Sequence, residues 1–397
     1  MNIKSMLRKI SWFYSLNATI KSFMTTREYS RTVHHYSKHP ARKPAIPTLR
    51  IPRLAHAPRI FFAGTDEQQD RSGLLQALER IGRTRCFTRS DGSYGQNDPR
   101  PEAVRRDANA RRLWELVSAE VASGNSPDIL ITQTWPTLLD PAVLGRIRRE
   151  FGTLVVNISM DDRHQYWGRP LAESWGGTYG LIGHIDLALT AARESVEWYE
   201  KEGCPALYFP EASDPEIFHP MPELPKVHDV SFVGGCYGIR RDIVLALRRA
   251  GIEVTTFGNG WHSGRIATEA VPALFSQSKI VLGVGTIGHC RNFFSLKMRD
   301  FDGPMSGSLY LTHDNPDLDT LFANGREIVT YRTIDECVEK AIYFLKHGDE
   351  RESIAAAGRA RGLREHTWDQ RFSNLFSRLG YTPVRAPAGV QDDPEPA

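Results

Sequence analysis

Twice in this chain a short apolar run ends on glycine and opens an alternation of strands with helices. The first run is Arg59-Ile60-Phe61-Phe62-Ala63-Gly64; Leu74, Leu75, Leu78 and Ile81 follow at helical spacing, and Gly82 ends that helix. Further strands are predicted at 128–132, 153–158, 185–190 and 206–210, with helices over 141–151 and 192–202. The second run is Asp229-Val230-Ser231-Phe232-Val233-Gly234-Gly235, continued by a helix at 240–250 and strands at 253–258, 279–284, 309–312 and 328–331. Continuous apolar strands separated by helices require a parallel sheet covered on both faces. The restart requires two such sheets. The expected fold class is therefore α/β, with two facing Rossmann-like domains joined near residues 210–226.

A chain of 397 residues has room for two ordinary domains plus extensions, and 41% hydrophobic with 24% charged content describes a globular protein. A net charge of +3 is too small to argue for nucleic acid, and no recognition-helix or RNA-binding motif is present, so no nucleic-acid partner is expected. Cys86, Cys204, Cys236, Cys290 and Cys337 are scattered, odd in number and lack Cys-x-x-Cys spacing. That usage suits reduced thiols in the cytoplasm, not a disulfide framework or a zinc site. No apolar run has the length of a membrane span.

Residues 1–58 stand apart. Lys4, Arg8, Lys9, Lys21, Arg27 and Arg31 alternate with Trp12, Phe13, Leu16, Ile20 and Phe23, and Glu28 is the only acid among residues 1–35. Two readings stay open: a basic helix making peripheral contact with an anionic membrane on its inner face, or a poorly ordered extension. Pro40, Pro44, Pro47, Pro52 and Pro58 make 36–58 an extended linker, and the proline-rich stretch 381–397 reads as a disordered tail.

Open parallel sheets bind ligands at the carboxyl ends of their strands, so the loops that follow strands are where chemistry is sought. Gly234-Gly235-Cys236-Tyr237-Gly238-Ile239-Arg240-Arg241 leads into a helix. Its glycines admit a ligand closely, the helix N-terminus favours an anion, and Arg240 or Arg241 suits a diphosphate; a tight turn with surface arginines fits equally. Gly258-Asn259-Gly260 beside Trp261 suits a nucleobase or an ordinary turn, and 283–289 is a third glycine-rich loop. Lys297 and Arg299 are placed to neutralise phosphates, while Asp302 either accepts from ribose hydroxyls or caps a helix. In the first half Asp161, Asp162 and His164 follow a strand, and Asp66 and Glu67 another. Such carboxylates suit a divalent metal, a general base beside His164, or simple solvated acids paired with Arg163.

With these residues placed, the chain resembles GT-B glycosyltransferases, nearest to the CgeB-like, glycosyl transferases group 1 type. Four groups of residues carry the likeness: the Asp-Pro-x-x-Phe-x-Pro stretch from Asp214 to Pro220; Val230 to Arg241; Phe257 to Trp261 with the strand at 278–282; and Arg299-Asp300-Phe301-Asp302 with Gly307. The resemblance implies an acceptor domain with hinge at 59–225, a nucleotide-sugar-binding domain at 226–365 and a crossover helix at 366–380. It implies a hexosyltransferase-type enzyme of cell-surface polysaccharide chemistry, moving a sugar from a nucleotide-diphosphate sugar to a glycan, lipid or protein acceptor. No metal or other cofactor is implied, since basic groups stabilise the leaving diphosphate. The implied donor-binding residues are Gly234, Gly235, Arg240, Arg241, Gly258, Asn259, Trp261, Lys297, Arg299 and Asp302, with Asp161, Asp162 and His164 as acceptor-side catalytic candidates. Two positions depart from the pattern: Asp302 stands where the family usually has Glu, and Phe294 where retaining members often have a second Glu. A non-catalytic nucleotide-sugar-binding protein is the alternative. A nicotinamide-dependent oxidoreductase is a weaker one, because neither first strand leads into Gly-x-Gly-x-x-Gly.

Overall fold

The computed structural model describes residues 11–38 and 56–381, with side chains of the first helix described from residue 18 onward. Residues 39–55 of the linker predicted over 36–58, the tail after Tyr381 and the first ten residues lie outside the described residues. Two sheets form. The first has six strands in the order β2-β1-β3-β4-β5-β6: β1 (Arg59–Ala63), β2 (Arg83–Cys86), β3 (Ile129–Thr132), β4 (Leu154–Ser159), β5 (Leu187–Thr190) and β6 (Ala206–Tyr208). The second has five in the order β11-β10-β9-β7-β8: β7 (His228–Val233), β8 (Val254–Phe257), β9 (Ser278–Leu282), β10 (Leu309–His313) and β11 (Val329–Tyr331). All pairs are parallel, with Ile60 opposite Ile129 and Val230 opposite Ile280 at the two sheet centres.

The strand order reverses between β1 and β3 in the first sheet and between β7 and β9 in the second. At a reversal the connecting helices leave on opposite faces, so the loops at the strand ends part and leave a crevice. Position on the sheet, not loop sequence alone, therefore selects the residues that can meet a ligand.

The helix Trp368–Arg378 returns to the first domain. Thr367 Oγ1 accepts the Gln370 N–H while Gln370 Oε1 accepts the Thr367 N–H, a reciprocal cap that fixes its start. Trp368, Phe372, Leu375 and Phe376 are then buried with Ile60, Phe62, Leu74 and Leu78. Each such side chain contributes about 1.5–3 kcal/mol by leaving water, which makes this helix part of the first domain's core. The hinge is tied by Arg80, whose Nη2 lies 2.9 Å from Asp214 and 2.8 Å from Asp369.

The N-terminal helix Ser11–Lys38 corrects two expectations. Its described part is neither a loose extension nor, at Tyr36, the start of a linker. Tyr36 stacks on Trp167 and Trp198 at interplanar angles of 14° and 16°. Tyr29 donates its hydroxyl proton to Glu194 at 3.1 Å and sets its ring 4.8 Å from Phe293 of the second domain. Tyr29, Thr32 and Tyr36 share one helical face, and packing of that face outweighs the basic residues around it.

Candidate active site

A cavity of about 730 Å³ opens between the carboxyl ends of the two sheets. In the second domain its wall begins at the loop after β7. Gly258 has φ +133°, and a Cβ there would sit 2.3 Å from the Gly234 carbonyl oxygen, so only glycine lets these two loops meet. Trp261 donates its indole N–H to that same oxygen at 2.7 Å. Asn259 lines the cavity, whereas Trp261 braces the loop from the side. The loop 283–289 does not line the cavity; a Cβ at Gly283 would lie 2.2 Å from the Tyr310 hydroxyl.

Two guanidinium groups, Arg240 buried and Arg299 half-buried, dominate the electrostatics. Arg240 is 4% exposed, lies 4.1 Å over the Tyr237 ring and donates to the Gly235 carbonyl at 3.3 Å. Arg299 lies 5.1 Å over Phe232, with Nε and Nη2 buried and without hydrogen-bond partners. Neither forms an ion pair among the described residues. Burial, then the neighbouring Arg299, push the Arg240 guanidinium down to about 10, so it stays charged at neutral pH. Uncompensated buried charges are costly and strongly favour an anion that satisfies them. Lys297 completes the cationic rim and donates to Ser295 Oγ at 2.6 Å. Arg241 is exposed and outside the cavity. Adjacent helix positions point about 100° apart, so only one of this arginine pair can face inward.

Asp302 lies on the cavity wall, 5% exposed, and accepts the Ser213 hydroxyl of the hinge at 2.8 Å. Burial holds its carboxyl well above the ordinary range. No side chain caps this helix; Asp300 inside it accepts the Lys297 N–H just ahead of its start at 2.7 Å and the Tyr310 hydroxyl at 2.6 Å. The backbone carbonyl of Phe294 accepts from Arg163 Nη1 at 2.7 Å.

Thr65, Gln69 and Asn97 form the first domain's side of the cavity, and Arg265 reaches across to Gln68 Oε1 at 2.7 Å. Asp66 caps the short helix Glu67–Asp70 while facing the cavity; Glu67 pairs with Arg71 at 3.2 Å. The same three wall residues border a chamber of about 210 Å³ that also contains Trp135 and Asp161. Trp135 and Asp161 in turn line a groove of about 1120 Å³ under the N-terminal helix. Asp161 thus lines both the groove and the chamber, and the chamber shares three wall residues with the donor cavity. His164 lies beside it, its Nε2 3.9 Å from Asp161 Oδ1, and burial pushes its pKa down, which keeps the imidazole neutral at pH 7.

Asp162 does not join them. It is 1% exposed and receives hydroxyl hydrogen bonds from Ser159 at 2.6 Å, Thr178 at 2.5 Å and Tyr199 at 3.1 Å. As the first residue of the helix Asp162–Gln165 it turns into the core, and its expected catalytic role is replaced by a structural one. Arg163 pairs with Glu194 at 2.7 Å and with Asp317 at 2.6 Å, joining the two domains instead of neutralising Asp161. Sequence reasoning also passed over Glu211 in the hinge, a 3% exposed carboxyl pushed up to about 8 by burial and so protonated at neutral pH. Thr65 was detectable as a strand-end position; Asn97 and Tyr237 carried no signal beyond their loops.

Two parallel-sheet domains that face each other across a cationic cleft, with a C-terminal helix crossing back, constitute the GT-B fold of glycosyltransferases. Within it, residues 240–377 match the family model of glycosyl transferase-like proteins. Sucrose-phosphate synthase from Thermosynechococcus elongatus superposes with a TM-score of 0.57 at 11% identity, over 81% of this chain and 99% of that one. A glycosyltransferase from Rickettsia africae gives 0.57 at 10% identity, over 82% and 99%. Anabaena HepE, solved with UDP-glucose, gives 0.55 at 12% identity, over 81% and 100%. No curated protein sequence matches the chain. No helix among the described residues is long and apolar enough to cross a membrane.

Proposed function

We propose that this chain transfers a sugar from a nucleotide-diphosphate sugar to an acceptor hydroxyl. The observation that carries the reading is the pair on the cavity wall, Arg240 buried and Arg299 half-buried with two buried unpartnered nitrogens, neither in an ion pair among the described residues. A diphosphate supplies the missing charge. In the reaction the acceptor oxygen bonds to the anomeric carbon, the bond from that carbon to the phosphate oxygen breaks, and the electron pair leaves with the diphosphate. Arg240, Arg299 and Lys297 stabilise that developing charge from fixed positions. The acceptor proton goes to Asp161, which lies between the donor cavity and the groove. Asp302 offers a carboxyl group to a ribose from the cavity wall, and Asn259 offers amide groups to the base. Because HepE of the same fold was solved with UDP-glucose, uridine diphosphate is the first donor nucleotide to test.

Thermal melts with UDP, GDP, TDP and CMP distinguish the reading from a structural one. A nucleoside diphosphate at about 100 times its Kd adds roughly 2.7 kcal/mol to native stability, a rise of several degrees. CMP, with one phosphate, is expected to raise the midpoint less. Equal melts with and without every nucleotide would contradict the proposal.

A further inference from the structure

The groove of about 1120 Å³ under the N-terminal helix has two chemically distinct walls. One is aromatic, with Trp135, Trp167 and Trp175, the last two meeting at 5.2 Å and 70°. The Trp135 indole N–H has no hydrogen-bond partner. Indole offers a flat apolar face with a donor at its edge, which complements a pyranose ring whose faces carry C–H groups and whose rim carries hydroxyls.

The other wall is cationic. Arg27 and Arg31, one helical turn apart, are exposed along the groove, and neither forms an ion pair among the described residues. Glu28 lines the groove between them and accepts the Gly168 N–H at 3.0 Å, so it cancels one of the two charges and leaves this helix face net positive. That bond also fastens the helix to the loop bearing Trp167 and Trp175. The loop is preformed: Pro170 bridges Trp175, and Gly168 has φ +63° where a Cβ would fall 2.5 Å from the Gly177 nitrogen.

We propose that this groove binds the acceptor, and that the acceptor is an acidic glycan bearing uronic-acid carboxylates. Its rings lie against the indoles and its acid groups pair with Arg27 and Arg31. The proposal rests on the donor reading above, since Asp161 lines both the groove and the chamber that shares walls with the donor cavity. A neutral glycan leaves both arginines unused, and a flat lipid surface does not fit a concave site whose aromatic wall is internal.

Tryptophan fluorescence of the full chain, titrated with tetragalacturonate and with maltotetraose in saturating UDP, tests it. Tetragalacturonate is expected to bind at least about tenfold more tightly and to weaken as salt is raised. The double variant Arg27→Ala/Arg31→Ala removes only exposed side chains; it is expected to erase that preference while the UDP affinity stays unchanged. Equal affinity for the two saccharides, or a double variant that keeps the preference, overturns the proposal. So does sedimentation with phosphatidylglycerol vesicles in the absence of saccharide binding, which assigns the arginines to a lipid surface. UDP binding is read separately, so an unsubstituted protein that binds UDP yet shows no saccharide preference defeats the groove and not the donor site.

Discussion

Arg299→Ala is expected to weaken UDP binding by about 2–4 kcal/mol, roughly 30- to 800-fold, without destabilising the free protein. Removing a buried arginine ordinarily strands a carboxylate and costs stability. Arg299 makes no ion pair among the described residues; it pushes the neighbouring Arg240 guanidinium down and draws the Asp300 and Asp302 carboxyls down against the larger effect of burial. Deleting Arg299 relieves that repulsion and loses those attractions, so the unliganded melting temperature should change little while the UDP-dependent shift disappears. Calorimetric titration and paired melts measure both quantities. A large fall in unliganded stability with UDP affinity retained would mean that the arginines support the fold instead of a ligand.

Asp161→Asn is expected to lower kcat by about 10²- to 10⁴-fold, the usual range for loss of a positioned general base. The amide keeps the size and the hydrogen-bonding rim of the side chain but cannot take the acceptor's proton. Donor affinity should therefore stay near the wild-type value, and the loss should fall on kcat, not on KM for the donor. Asp162→Asn is the matched control, because Asp162 is enclosed by three hydroxyls and faces no cavity. Wild-type turnover by Asp161→Asn would remove Asp161 from the chemistry.

The two sheets were legible because a parallel strand buried on both faces leaves a mainly apolar run, uninterrupted at Ile60–Ala63 and broken only by the buried Ser231 at 230–233. β2 was not legible: it is an edge strand whose Arg83 and Arg85 face solvent, and such a strand has no apolar pattern to show. The long helix Glu102–Ala122 was missed for a similar reason, burying only Asn109, Leu113 and Val117 over its length. At the site, the sequence brought out the right loops but not the orientation of neighbouring residues. Arg240 from Arg241, and Asp161 from Asp162, differ by one step around a helix start, and that step is decided by packing. The groove was hidden because its walls are separated by more than a hundred residues, from Arg27 to Trp135 and Trp175. Tyr29 and Tyr36, seven positions apart, were the only local sign that the basic helix has a buried face.

The central claim is tested most directly by incubating the purified protein with the donor identified in the melts and a panel of neutral and acidic saccharides, then weighing the products. The account predicts an acceptor heavier by one sugar residue, release of one nucleoside diphosphate per transfer, and loss of both products in Arg299→Ala and Asp161→Asn. A donor that binds tightly yet is neither transferred nor cleaved across the whole panel would contradict it.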